Sequence, residues 1–163
     1  MDIRLLRIDS RLLHGQVTTN WVRALHVDRI LIVSDEVSRD QIRKSLILQA
    51  VPPGQKVHVI TVEKLLRLYN DERFADMKVL IIVETPQVVA EIVRGGILIT
   101  TVNIGSLSFQ EGKQMVTDAI AVDEGDVAHF QWLHDQGIDL EVRKVSHDKP
   151  KDLWCILCDK QFV

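Results

Sequence analysis

Residues 79–83 read Val-Leu-Ile-Ile-Val, and residues 30–33 read Ile-Leu-Ile-Val. Neither run alternates between apolar and polar side chains, so a strand built from either has no face to give to water. Strands buried on both faces are typical of parallel sheets, whose crossover connections lay helices against the sheet. These two runs set the expected fold class: α/β, an open, doubly wound, mainly parallel sheet covered by helices on both faces.

Working outward, similar runs predict further strands over Ile3–Ile8, Arg29–Ser34, Lys56–Ile60, Val79–Val83, Ile97–Asn103, Met115–Val122 and Leu140–Val145. Helical signals fall between them. Leu13, Val17, Trp21 and Leu25 recur at four-residue spacing, which predicts a helix over Gly15–His26. Ser38 offers an N-cap hydroxyl to the segment SRDQIRKSLILQA, and Pro52-Pro53-Gly54 stops it. Thr61 opens a third helix that ends at Asn70-Asp71. Thr85-Pro86 pairs an N-cap with proline at the first helical position, and Gly95-Gly96 closes that helix. Asp123 caps a last long helix running to about Gln136, ended by Gly137. The order is βαβαβαβαβ, a loop, then βαβ, as expected of right-handed crossovers in one sheet. No repeat, low-complexity tract or long linker divides it.

A chain of 163 residues has the size of one domain. Its composition, 46% hydrophobic and 26% charged, is that of a globular protein and excludes a disordered one. With 20 Lys+Arg against 23 Asp+Glu, the net charge of −3 speaks against a protein that coats nucleic acid or a membrane surface. Met1–Asp9 interleaves acids and bases, unlike a signal peptide, and no run approaches the ~18 apolar residues of a spanning helix. Two cysteines near the end make no disulfide framework. One cytoplasmic domain over residues 1–163 is the expectation.

In a doubly wound sheet, ligands bind beyond the carboxyl ends of the strands. The loop after the first strand reads Arg7-Ile-Asp9-Ser10-Arg11-Leu-Leu-His14-Gly15-Gln16-Val17. A neutral imidazole, with an ordinary pKa of about 6.5, is a good nucleophile toward phosphorus near neutral pH. At a helix entrance, a phosphoryl group on His14 would meet unpaired backbone N–H groups and the positive end of the helix dipole. Gly15 lets the backbone approach without a Cβ. Arg11, with Arg7, would clamp phosphoryl oxygens. Asp9 would either orient Arg11 or fix the imidazole tautomer. The plainer alternative is an exposed histidine at a helix start, with Asp9 or Ser10 as a cap. There is no Walker loop and no GxGxxG, so no nucleotide fingerprint.

The string RIDSRLLHGQVTTNW, with Asn103-Ile104-Gly105 and Glu111-Gly112-Lys113, closely resembles the IIB component of the mannose/fructose/sorbose-type sugar phosphotransferase system. The resemblance runs from Ile3 to about Val145. It implies an open, mainly parallel α/β fold and a single IIB domain. It also implies that His14 takes a phosphoryl group from a phosphohistidine of the IIA component and passes it to sugar entering through the membrane IIC and IID components. On it, Arg11, Asp9 and Gln16 belong to the histidine's loop. Two departures stand out. Ser106-Leu107 replaces the family's usual Gly-Met, which puts the shape of that loop in question, and Lys151–Val163 carries no family signature.

Thr85, Asn103 and Gly105 close two strands and are candidate walls of a pocket around His14. The polar loop Ser106–Lys113 is a candidate anion contact or partner surface. Cys155 and Cys158 have CxxC spacing, but no second pair follows and His147 is too distant for a zinc finger. They read as buried thiols in a terminal strand. His129 and His134 lie five apart on the predicted last helix and do not share a face. His26 and His58 have no acidic or thiol partner at ligand spacing. Asp35-Glu36 resembles a receiver's acidic pocket, without the acceptor aspartate that fold needs after its third strand. Trp21 and Trp132 read as core.

The expected function is a phosphoryl carrier on His14, with Arg11 and Asp9 as its catalytic neighbours and Arg7, Gly15, Gln16, Thr85, Asn103 and Gly105 as binding residues. No metal or organic cofactor is expected. The expected partners are IIA, the membrane IIC and IID components, and a sugar, with no nucleic acid. The alternative is a non-catalytic regulatory or anion-sensing module with the same fold.

Overall fold

A computed structural model of the chain describes every residue except Gln16, and every side chain except those of Gln16, Val17 and Thr18. Its strands are β1 (Asp2–Asp9), β2 (Arg29–Val33), β3 (Val57–Ile60), β4 (Lys78–Val83), β5 (Thr101–Ser106), β6 (Gln114–Met115), β7 (Ala121–Val122), β8 (Asp139–Val142) and β9 (Lys151–Asp152). A π-helical segment, Val17–Trp21, runs into α1 (Val22–Leu25). The remaining α-helices are α2 (Asp35–Arg39), α3 (Gln41–Gln49), α4 (Val62–Tyr69), α5 (Pro86–Arg94), α6 (Glu124–Asp135) and α7 (Leu153–Asp159).

Seven strands form one sheet in the order β3-β2-β4-β1-β5-β8-β9. Every neighbouring pair is parallel except β8 and β9, which run antiparallel. Ile30, Ile32, Leu80 and Ile82 point to one face, where Leu12, Leu13, Trp21, Val22 and Val37 cover them. Leu31, Val33, Val79, Ile81 and Val83 point to the other, under Leu65 of α4, Val89 and Ile92 of α5, Phe130 and Leu133 of α6, and Leu153 and Leu157 of α7. Both sides of each residue pair are dry. The expected doubly wound α/β class is the observed one, and the unbroken apolar runs are its cause.

Capping follows the sequence at three helices. Thr61 accepts from the Lys64 amide and Thr85 from the Val88 amide, with Pro86 just inside α5. Asp123 and Asp126 form a reciprocal capping box on α6, and Gly137 takes φ +76° beyond its end.

Several predicted boundaries are corrected. The segment SRDQIRKSLILQA is not one helix capped by Ser38: Ser34 caps α2, and Asp40 caps α3 by accepting from the Ile42 and Arg43 amides. Ser38 donates to the Asp35 carbonyl inside α2 instead. The strand placed at Ile97–Asn103 begins only at Thr101. Gly96, at φ +95°, turns the chain out of α5, and Leu98 is exposed on the way back to the sheet. The strand also runs on to Ser106, so Gly105, expected just past its end, lies inside β5 with Asn103. Met115–Val122 is not one strand but a small antiparallel pair, β6 with β7, around a turn in which the Thr117 hydroxyl accepts from the Ala119 amide. The strand set at Leu140–Val145 stops at Val142. The helix expected over Gly15–His26 is π-helical and then α-helical, ending where His26 takes φ +50°. The terminal segment is a helix, not a strand, and Cys155 and Cys158 are exposed on it. Asp152 starts that helix by accepting from the Trp154 and Cys155 amides.

The sheet order also locates a site. β1 connects toward β2 on one side, whereas its neighbour β5 leads toward β8 on the other. The carboxyl ends of β1 and β5 thus flank the point where the winding reverses, the usual crevice of such folds.

Candidate functional site

Asp9 is the last residue of β1, and its carboxylate is fully buried. Oδ2 lies 3.1 Å from His14 Nε2 and accepts from Arg7 Nη2 at 3.0 Å. Oδ1 accepts from the Arg11 amide at 3.2 Å and lies 3.5 Å from Arg11 Nε. The sequence left two roles open for Asp9, and its carboxylate lies within reach of both groups concerned, the His14 ring and Arg11. A carboxylate held by two guanidinium groups accepts and does not donate. A proton on Nε2 is the tautomer that matches this acceptor.

Local backbone geometry brings these atoms together. The Leu12 amide donates to the Asp9 carbonyl at 2.8 Å, closing a turn in which Leu12 has φ +56°. Left-handed backbone at a side chain of this size costs on the order of 1–2 kcal/mol. Burial of Leu12 and Leu13 in the core beneath offsets that cost and leaves His14, half-buried, at the lip of the turn.

Arg7 is buried below Asp9. Its Nη1 donates to Asn103 Oδ1 at 2.6 Å and to the Arg143 carbonyl at 3.0 Å, and Asn103 Nδ2 donates to the same carbonyl at 3.1 Å. Burial pushes the Arg7 pKa down, and the charge of Asp9 opposes this. The Trp21 ring packs between two cations, with the guanidinium carbons of Arg7 and Arg143 at 5.7 and 4.9 Å from its centroid. Gly105 is there because nothing larger fits: a Cβ would lie 1.9 Å from Arg7 Nη2.

A cleft of about 520 Å³ opens over this group, lined by Arg7, Arg11, His14 and Gly105 together with Ser106, Ser108 and Lys144. The other predicted site residues stand elsewhere. Asn103 lies beneath the cleft and acts through Arg7. Thr85 does not line it, because its hydroxyl is the cap of α5. Gly15 is exposed, and Gln16 lies outside the described residues.

The parts played by Ser10, Lys144 and Asp118 have no signal in the sequence. Ser10 ties the histidine loop to β5 and the residues after it: its amide donates to the Ser106 carbonyl at 3.0 Å, and its hydroxyl accepts from the Ser108 amide at 2.9 Å. Lys144, paired with Asp118, closes the far side of the cleft. These contacts span about a hundred residues or fall beyond strand ends, so no local spacing marks them. Ser106, where the family usually has glycine, does not have positive φ, so the serine fits without strain. Leu107 is buried and bridges to Ile120. Away from the cleft, Cys155 and Cys158 belong to no group of three or more His, Cys, Asp or Glu that could hold a metal ion among the described residues. His129 bonds the Gly125 carbonyl, and His134 stacks on Trp154.

Fold and site define a doubly wound α/β domain that sets a carboxylate-held histidine in a cation-lined cleft, at the winding reversal of its sheet. A family model described as the sorbose subfamily IIB component of the sugar phosphotransferase system matches residues 3–163, and the chain belongs to that family. It is 47% identical over 148 residues to the mannose-specific EIIAB component of Escherichia coli (strain K12), covering 91% of this chain and 46% of that protein. It spans about half the length of that relative. It is 43% identical over 153 residues to the sorbose-specific EIIB component of Lacticaseibacillus casei, covering 94% of this chain and 93% of that one. The crystal structure of the IIB domain of the sorbose permease from Klebsiella pneumoniae superposes over the whole of both chains, with a TM-score of 0.95 at 37% identity. The chain is thus a IIB module of a sugar phosphotransferase system.

Proposed function

We propose that the chain carries a phosphoryl group on His14, taken from a phosphohistidine of a IIA component and given to a sugar. Nδ1 of the neutral ring attacks phosphorus, and the P–N bond to the donor breaks as the new P–N bond forms. In the second transfer a sugar hydroxyl attacks phosphorus, its proton passes to solvent, and the Nδ1–P bond breaks with its electron pair returning to Nδ1. Asp9, held by Arg7, keeps the ring oriented and stabilises the positive charge it gains. Arg11 meets the phosphoryl oxygens, so the protein's contribution is positioning and charge stabilisation. The observation that carries this reading is the contact of His14 Nε2 with buried Asp9 beneath the cationic cleft.

The relatives support the partners. A IIA component joined to IIB in the mannose-specific EIIAB protein fits a IIA donor. Membrane IIC and IID components would present the sugar, with this chain as a single peripheral domain at their cytoplasmic face. No described helix is long and apolar enough to cross a membrane itself. The alternative of a non-catalytic sensing module has no observation in its favour.

The test is incubation with the general phosphotransfer proteins, a IIA component and labelled phosphoenolpyruvate. Wild type should acquire acid-labile label, and His14→Ala none, with its fold intact because a side chain at a loop tip contributes little to stability. Full labelling of His14→Ala would overturn the assignment.

A further inference from the structure

We propose that Lys144 is a phosphoryl-binding residue which Asp118 holds in reserve, and which closes onto the phosphoryl group when that group reaches His14. The inference rests on the carrier reading above and extends it to a residue outside the histidine loop.

Lys144 and Asp118 line the cleft that also contains His14, Arg7 and Arg11. The backbone around Lys144 is tied to the site from three directions. Its own carbonyl accepts from Trp21 Nε1 at 3.1 Å. The preceding carbonyl, of Arg143, accepts from Arg7 and Asn103 at 3.0 and 3.1 Å. Two residues on, the Ser146 amide donates to Asn20 Oδ1 at 2.7 Å. β1, β5 and the helical segment after His14 therefore all fix where the lysine stem begins. The side chain is what can move.

Its present partner is a weak one. Lys144 and Asp118 are 53% and 78% exposed as side chains, and an ion pair in water at that exposure contributes little. Asp118 sits on the turn between β6 and β7, and among the described residues its side-chain partner is Lys144 rather than the histidine loop. Of the other cations in the cleft, Arg7 is already held by Asp9, Asn103 and the Arg143 carbonyl, which leaves exposed Arg11 and the lysine to meet the phosphoryl group. A phosphoryl group brings a charge of roughly −1.5 to −2, so it outcompetes a single exposed carboxylate for the ammonium. A lysine suits this task because its point charge and flexible stem follow a group that moves between donor and acceptor. No bond to the lysine forms, and no proton is transferred by it.

The test measures acceptance of label from purified phospho-IIA by the full chain and its variants, with thermal melting of each variant as a folding control. Lys144→Met keeps the stem and removes the charge; it should accept at least about tenfold more slowly, the loss of one charge-assisted contact. Lys144→Gln serves equally should the methionine variant not fold. Asp118→Asn, which releases the lysine, should accept as fast as wild type or faster, with more label resting on this chain at equilibrium. Parallel losses in Lys144→Met and Asp118→Asn would overturn the proposal, because an ion pair that merely holds the turn predicts both. Wild-type rates in Lys144→Met, with His14→Ala unlabelled, would overturn it while leaving the carrier reading intact. A wild-type chain that takes no label would overturn both.

Discussion

Asp9 Oδ2 stands 3.1 Å from His14 Nε2, and the same oxygen receives Arg7 from the opposite side. The histidine is thereby joined to a buried cation through one shared oxygen. In the proposed transfer, charge developing on the ring is matched by a carboxylate that the core, and not solvent, holds in place. Removing the charge of Asp9 disturbs two groups together.

Asp9→Asn should accordingly damage both stability and transfer. It leaves the Arg7 guanidinium buried without its counter-ion, and breaking a buried pair typically costs about 3–5 kcal/mol. The amide also brings donors into a space that faces two arginines. Urea melts should show the loss, and transfer by the folded fraction should fall at least about tenfold. A variant with wild-type stability and wild-type rate would show that this carboxylate supports neither Arg7 nor His14.

Gly105→Ala tests the close packing beneath the site. The added Cβ would lie 1.9 Å from Arg7 Nη2, so the guanidinium has to leave its position between Asp9 and Asn103. Overpacking of this kind costs about 1–3 kcal/mol. Transfer should fall with it, because Arg7 holds Asp9. Gly15→Ala is the control for stability alone, since a Cβ there meets nothing within 4 Å. Equal melting temperatures for the two variants would refute the packing argument.

The same two glycines show how much of the molecule was legible beforehand. Periodicity at Val79–Val83 gave the sheet and its two covered faces, because burial on both sides is written in every residue of such a strand. The loop from Arg7 to His14 could be read as one candidate site, because its residues are neighbours in sequence and the fold keeps them together. Gly105 was named as a pocket wall, but its reason, the approach of Arg7 from β1, is a contact between strands and leaves no local trace. Lys144 and Asp118 leave no trace on the same ground, and Ser108 falls in the loop read as a candidate anion contact without any sign of its tie to Ser10. The thiols were misplaced because a short apolar run such as Trp154-Cys-Ile-Leu-Cys158 fits a strand or one turn of helix equally well. The Asp152 cap decides for helix, and sequence alone gave that aspartate no priority over its neighbours.

Arg11→Lys should impair transfer even though charge is kept. Arg11 is exposed at the mouth of the cleft, where its planar guanidinium can meet two phosphoryl oxygens at once, and an ammonium cannot reproduce that fork. The loss should be about 1–3 kcal/mol in transition-state stabilisation, read as a fall in kcat/KM for phospho-IIA. Stability should hardly change, given how little of the side chain is buried. Rates within twofold of wild type would remove Arg11 from the phosphoryl contacts.

Cys155 and Cys158 should be dispensable for transfer, and the structure strengthens that expectation by moving both thiols from a buried strand to the exposed side of α7. Cys155→Ser with Cys158→Ser should melt within about 0.5 kcal/mol of wild type, as surface substitutions do, and transfer normally. Cys155 nevertheless has a partner: its thiol donates to Asp152 Oδ2 at 3.4 Å, and this hydrogen bond, reinforced by the carboxylate's charge, pushes the thiol pKa up. A raised pKa means less thiolate at a given pH, so Cys155 should alkylate slowly near neutral pH. Asp152→Asn keeps an N-cap side chain on α7 while removing the charge, and should speed iodoacetamide modification of Cys155 without unfolding the helix. Unchanged alkylation in Asp152→Asn would show that the carboxylate does not control this thiol. Loss of transfer in the folded double serine variant would connect the tail to the histidine cleft after all.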